Sequence, residues 1–251
     1  MSSSERARTR RGASAPRALS RLTTPHDALT SLVLTLPVFL VYHVGIVFMD
    51  LRNGADFVTG NLVSLLDLSL AGYLALTFAV AGGLAVSVSL LRKKNELHLG
   101  ALGPVVAESV LWAALMWLLV GWATARIVPH AWATLQLGGR PLGPLERLVM
   151  SAGAGFYEEL VFRVGLFGGL AHLFTRRGVP ALRAGLAAAA VSALLFSAVH
   201  YVGALGDSFS LGSFVFRALS GLYLAALYRF RGFAVAVYAH ALYDVGVFFL
   251  H

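Results

Sequence analysis

The sequence predicts an all-α protein, a polytopic transmembrane bundle of about seven helices with its N-terminus in the cytoplasm. Three observations lead there. Of its 251 residues, 58% are hydrophobic and only 13% charged, with a mean hydropathy of +0.75. That is more apolar side chain than one soluble core can hide. The apolar residues gather in runs, most of them near or above the ~20 residues a spanning helix needs. The basic residues sit at alternate ends of those runs. A net charge of +8 and a pI near 10.3 could suggest nucleic acid, but no basic face gathers on one soluble surface, so no nucleic-acid partner is expected.

The elements are taken in chain order. Residues 1–27 are rich in Ser, Arg and Ala, lack an apolar period, and read as a disordered basic cytoplasmic tail able to touch anionic lipid. Residues 28–251 form the membrane domain. Its first run, about Ala28–Met49, is too long for the apolar core of a signal peptide, and Met49-Asp50-Leu51-Arg52 offers no small-x-small cleavage site. The second, Leu62–Leu91, is long and carries Gly72, Gly82 and Gly83, which favours a tilt or kink over two spans. The third is Gly103–Ala125. From Arg126 to Arg147, three prolines, the pair Gly138-Gly139 and Trp132 predict an external loop at the interface. Leu148–Phe174, Ala184–Tyr201, Leu211–Tyr228 and Phe233–Leu250 complete the seven, the fifth and seventh being short. No internal repeat supports an inverted-repeat transporter. With no cysteine, disulfides, thiolate catalysis and cysteine-ligated metal are excluded.

Charge placement tests this order independently. Six arginines from Arg6 to Arg21 precede the first helix, Arg92-Lys93-Lys94 follow the second, Arg176, Arg177 and Arg183 the fourth, and Arg229 and Arg231 the sixth. The opposite side has Arg52, Arg126, Arg140 and Arg147. The positive-inside rule then puts the N-terminus in the cytoplasm and the C-terminus outside, as an odd number of spans requires. The expected location is the inner (plasma) membrane of a bacterium.

Against this background, Glu158, Glu159 and Arg163 stand out in the fourth run, Phe156-Tyr157-Glu158-Glu159-Leu160-Val161-Phe162-Arg163. An ionised side chain at mid-membrane costs roughly 2.5–3.5 kcal/mol, so three cost on the order of 10 kcal/mol before pairing. Glu159 and Arg163 are spaced i, i+4 with the acid first, the favourable order for a pair. Glu158 lies about 100° around an α-helix from Glu159 and is free to face a cavity. The small residues Ser151 to Gly155, and Gly165 with Gly169, would let neighbouring helices approach closely. Two further clusters lie downstream, Phe196-x-x-x-His200 in the fifth run and His240-x-x-x-Asp244 in the seventh. A buried ion-pair network is the structural explanation of the first cluster; three such clusters on separate helices point to an active site.

These motifs, E-E-x-x-x-R, F-x-x-x-H and H-x-x-x-N or D in that order, resemble the CAAX-protease and bacteriocin-processing family of intramembrane proteases, the Abi or CPBP family. The resemblance covers the motif-bearing part at 148–250. It implies an all-helical membrane endopeptidase acting on a membrane-associated protein or peptide within the lipid bilayer. Peptide hydrolysis needs a base to activate water, donors for the oxyanion and an acid for the leaving amine. Glu158 is the expected base, with His200 sharing the water and later delivering a proton. His240 would donate to the oxyanion. Asp244 stands where relatives carry Asn; an ionised carboxylate cannot donate, so Asp244 is expected to orient His240 instead. Glu159, Arg163 and Phe196 support the site.

Zinc is the rival within this reading, since Glu158, His200 and His240 form the ligand set of many catalytic zinc sites. No H-E-x-x-H helix is present, and zinc on all three would leave Glu159, already paired with Arg163, to act as base. Metal-free catalysis with no cofactor is therefore expected. A different class of function is a catalytically silent immunity protein, scaffold or transporter that uses the polar core for stability or ion passage. Asp67, Glu108, His43 and His172 read as interfacial or packing groups. Arg217 reads as a snorkelling residue, or as a partner of Asp207 or of the site acids.

Overall fold

The structure is a computed structural model, and it describes residues 28–49, 70–92, 97–129, 143–202 and 206–250. The expected basic tail, Asp67 and most of the loop carrying Trp132 lie outside the described residues. Seven helices stand among the described residues, one for each apolar run: α1 Ala28–Val47, α2 Leu70–Arg92, α3 Leu102–Ile127, α4 over residues 144–176, α5 Ala181–Val199, α6 Leu211–Arg231 and α7 Phe233–Leu250. The chain is thus all-helical where described. Ala28–Ile46, Leu99–Ile127, Ala181–Val199 and Leu211–Arg231 are long and apolar enough to cross a membrane. Large apolar side chains on the outer faces of α3 and α5, Leu118, Trp122 and Leu194 among them, are more than half exposed, as a lipid-facing surface requires.

α7 is the hub of the bundle, packed against α1, α3, α4 and α6. Its composition explains that position. Ala234, Val235, Ala236, Val237 and Ala239 are buried on every side, and their small side chains let four helices approach at once. Hydroxyls fix the register, because polar groups in a dry bundle must find partners within it. Tyr238 Oη donates to the Leu34 carbonyl of α1 at 2.9 Å, and Ser109 Oγ of α3 to the Val235 carbonyl at 3.3 Å. A single residue, Gly232, links α6 to α7. Its φ of +90° lies where a side chain is strained, so glycine is required for so tight a reversal.

α4 departs from the expected α-helix. It is α-helical over Pro144–Gly153, π-helical over Ala154–Gly168, with backbone bonds running i→i+5, and α-helical again over Gly169–Arg176. The small-residue strip works as expected. A Cβ on Gly155 would lie 2.7 Å from Ala241 Cβ and 2.8 Å from the Val237 carbonyl, and one on Gly153 would lie 2.5 Å from the Tyr42 ring. α4 therefore sits directly on the backbone of α7. Gly165 and Gly169 do not act as expected, since among the described residues no neighbouring helix approaches either: a Cβ on Gly169 meets nothing within 4 Å, and one on Gly165 meets only the Leu160 carbonyl of its own helix.

Candidate active site

The π-helical stretch carries the two acids. Glu158 and Glu159 both lie in it, and both carboxylates approach His240 of α7. Both are buried, Glu159 and Arg163 completely. Glu159 Oε1 is ion-paired with Arg163 Nη1 at 3.2 Å and hydrogen-bonded with His240 Nδ1 at 2.8 Å. On its other side, His240 Nε2 lies 3.8 Å from Glu158 Oε2 and 3.7 Å from Asp244 Oδ2. His240 is thus wedged among three carboxylates. The close contact that orients its ring comes from Glu159, whereas the sequence suggested Asp244.

The fifth helix supplies an aromatic floor and a second imidazole. Arg163 lies over the Phe196 ring, its guanidinium carbon 4.4 Å from the centroid, which places a cation on a π face in a dry interior. The Phe196 ring also meets His200 at 5.0 Å and His240 at 6.1 Å between centroids, so the phenylalanine of F-x-x-x-H touches the cation of the first cluster and both imidazoles. His200 Nδ1 is 2.7 Å from the Phe196 carbonyl. A carbonyl only accepts, so Nδ1 carries the proton and the neutral ring keeps its lone pair on Nε2. Glu158 acts electrostatically on His200, His240 and Arg163 alike, which brings the three clusters into one neighbourhood. Ser192 Oγ of α5 donates to the Phe162 carbonyl at 2.7 Å and pins α5 to the π-helical stretch. Among the described residues, no group of three His, Asp or Glu side chains is set as one metal ion's ligands would be.

Sequence reasoning passed over several contacts around this core. His43 Nε2 of α1 is 2.5 Å from the Tyr157 hydroxyl, one residue before Glu158, and its ring packs against Phe39, Tyr42 and Tyr157. Glu108 holds Arg231 through two contacts, at 2.5 and 2.8 Å, and accepts from Trp112 Nε1 at 2.8 Å. Arg217 pairs with Asp207 at 2.5 Å, one of the partners the sequence offered it. No local pattern announces the His43–Tyr157 and Glu108–Arg231 contacts, since their members lie 114 and 123 residues apart.

Residues 141–246 match the family model described as type II CAAX prenyl endopeptidase Rce1-like. No curated protein and no solved structure gives a match. The matched segment carries all three motifs, and the similarity to that family covers this segment alone.

Proposed function

From the match of residues 141–246 to the Rce1-like endopeptidases, we propose that the chain is an intramembrane endopeptidase that cuts a prenylated, membrane-associated protein or peptide near its C-terminus. The observation that carries this reading is the placement of His240 between Glu159 at 2.8 Å and Glu158 at 3.8 Å, beside an imidazole that presents Nε2. In this reading Glu158 is the general base. Its carboxylate is not committed to Arg163, and it shares a water with His200 Nε2. The proton taken from that water returns to the leaving amine through His200. His240, with Nδ1–H held by Glu159, donates from a protonated Nε2 to the developing oxyanion. The second ring proton is offset by three carboxylates around one guanidinium. Asp244 supports that protonated ring at 3.7 Å. Arg163 balances Glu159 and, stacked on Phe196, holds the floor. The proposed chemistry needs no metal.

Glu158→Gln tests the assignment, because it keeps shape and removes basicity. Cleavage of a prenylated CAAX peptide by membranes containing the variant should fall on the order of 10²–10⁴-fold at equal protein level. Undiminished cleavage would remove Glu158 as the base.

A further inference from the structure

Among the described residues, the buried side-chain atoms without a hydrogen-bond partner include Glu159 Oε2 and the three nitrogens of Arg163 within the site, which already face each other as an ion pair, and two donors beside it that face no such partner. Arg217 of α6 gives Nη2 to Asp207 Oδ2, yet its Nη1 is buried without a hydrogen-bond partner. The hydroxyl of Tyr201, the residue after His200, is in the same condition. The two side chains are stacked, the guanidinium carbon 5.2 Å from the Tyr201 ring centroid. Buried donors are nearly always satisfied, so two unmatched ones in contact point to an acceptor that the described residues do not supply. A guanidinium and a phenol together suit an anionic pair of oxygens, as in a carboxylate.

The pair is tied to the working residues. The backbone N–H of Asp207 donates to the His200 carbonyl at 2.8 Å, so the loop that holds Arg217 is anchored on His200 itself. The charge of Arg217 also acts on both His200 and Asp244. Asp207 neutralises one edge of the guanidinium and keeps it in place, leaving the other edge to be filled.

We propose that Arg217 and Tyr201 form a subsite for the terminal carboxylate of the substrate, so that the chain selects peptides whose free end lies close to the bond being cut. This deepens the endopeptidase reading and rests on it. Neither residue belongs to the three motifs.

The test compares a prenylated CAAX peptide ending in its free carboxylate with the same peptide ending in an amide. Full-length protein reconstituted in lipid should cleave the acid with a kcat/KM on the order of ten- to a hundredfold higher, the difference lying in KM. Arg217→Gln should bring that ratio close to one. Tyr201→Phe, which keeps the ring stack and removes only the hydroxyl, should lower it part of the way. A second measurement is binding of both peptides to Glu158→Gln protein, where the acid should bind tighter by a similar factor and lose its advantage when Arg217→Gln is added. Equal treatment of acid and amide by the unmodified chain would overturn the subsite. So would a preference that survives both substitutions, or a loss that falls equally on both peptides, which would make Arg217 an oxyanion or packing residue. If neither peptide is cleaved while the binding preference stands, the endopeptidase reading fails and the subsite remains.

Discussion

Arg163→Met removes the one guanidinium in the cluster while nearly preserving its volume, and the loss should destabilise the whole bundle. Arg163 and Glu159 are both fully buried and 3.2 Å apart, with no solvent to take over either charge. Deleting the cation leaves a buried carboxylate whose remaining contact is His240, a change that costs about 3–5 kcal/mol. Loss of the stack on Phe196, 4.4 Å away, adds up to about 2 kcal/mol in a desolvated setting. The sum is comparable to the whole stability of many domains, so most of the variant should be lost from the membrane or melt on the order of 10 °C or more below the parent. Glu159→Gln in the same chain removes the orphaned charge and still leaves an oxygen to accept from His240 Nδ1. The double variant should therefore recover several degrees relative to Arg163→Met alone. Thermal unfolding of the four proteins in one detergent, treated as a double-mutant cycle, measures the coupling. An Arg163→Met protein as stable as the parent, or no recovery on adding Glu159→Gln, would refute the view that this pair is a mutually dependent buried scaffold.

Gly155→Ala should drive α4 off α7, since its Cβ would lie 2.7 Å from Ala241 Cβ, with a loss of about 1–3 kcal/mol in thermal unfolding, whereas Gly169→Ala, facing open space, should be near neutral. Asp244→Asn should retain measurable cleavage because the amide can still meet His240, and Asp244→Ala should lose far more; equal loss in both, in folded protein, would make the carboxylate charge essential. Purified active protein should contain clearly less than one equivalent of zinc and keep cleaving under strong chelation, while metal that switches activity off and on would assign Glu158, His200 and His240 as ligands instead. Reporter fusions at Ser2 and after His251 should fall on opposite sides of the membrane, and finding both on one side would remove a span from the charge-based topology.

Fold class and the members of the candidate site are legible in the amino-acid chain alone. Seven apolar runs became seven helices because helix formation in lipid is dictated locally: every backbone group must bond within its own segment, and length and polarity are written in the run itself. Glu158, Glu159, Arg163, Phe196, His200, His240 and Asp244 could be picked out for a related reason, since they form or flank polar clusters that the membrane would otherwise exclude. Which of them touch is settled only by packing in three dimensions. The π-helical winding of Ala154–Gly168 cannot be read from a sequence whose spacing suits an α-helix equally well, nor can the 2.8 Å approach of Glu159 to His240, since it joins residues 81 apart. The stacks of Arg163 on Phe196 and of Arg217 on Tyr201, and the bond between His43 and Tyr157, depend on how separate helices meet. Such contacts are fixed by how closely helices pack, here by small residues such as Gly155 and the alanines of α7, and packing is a property of the pair rather than of either helix alone.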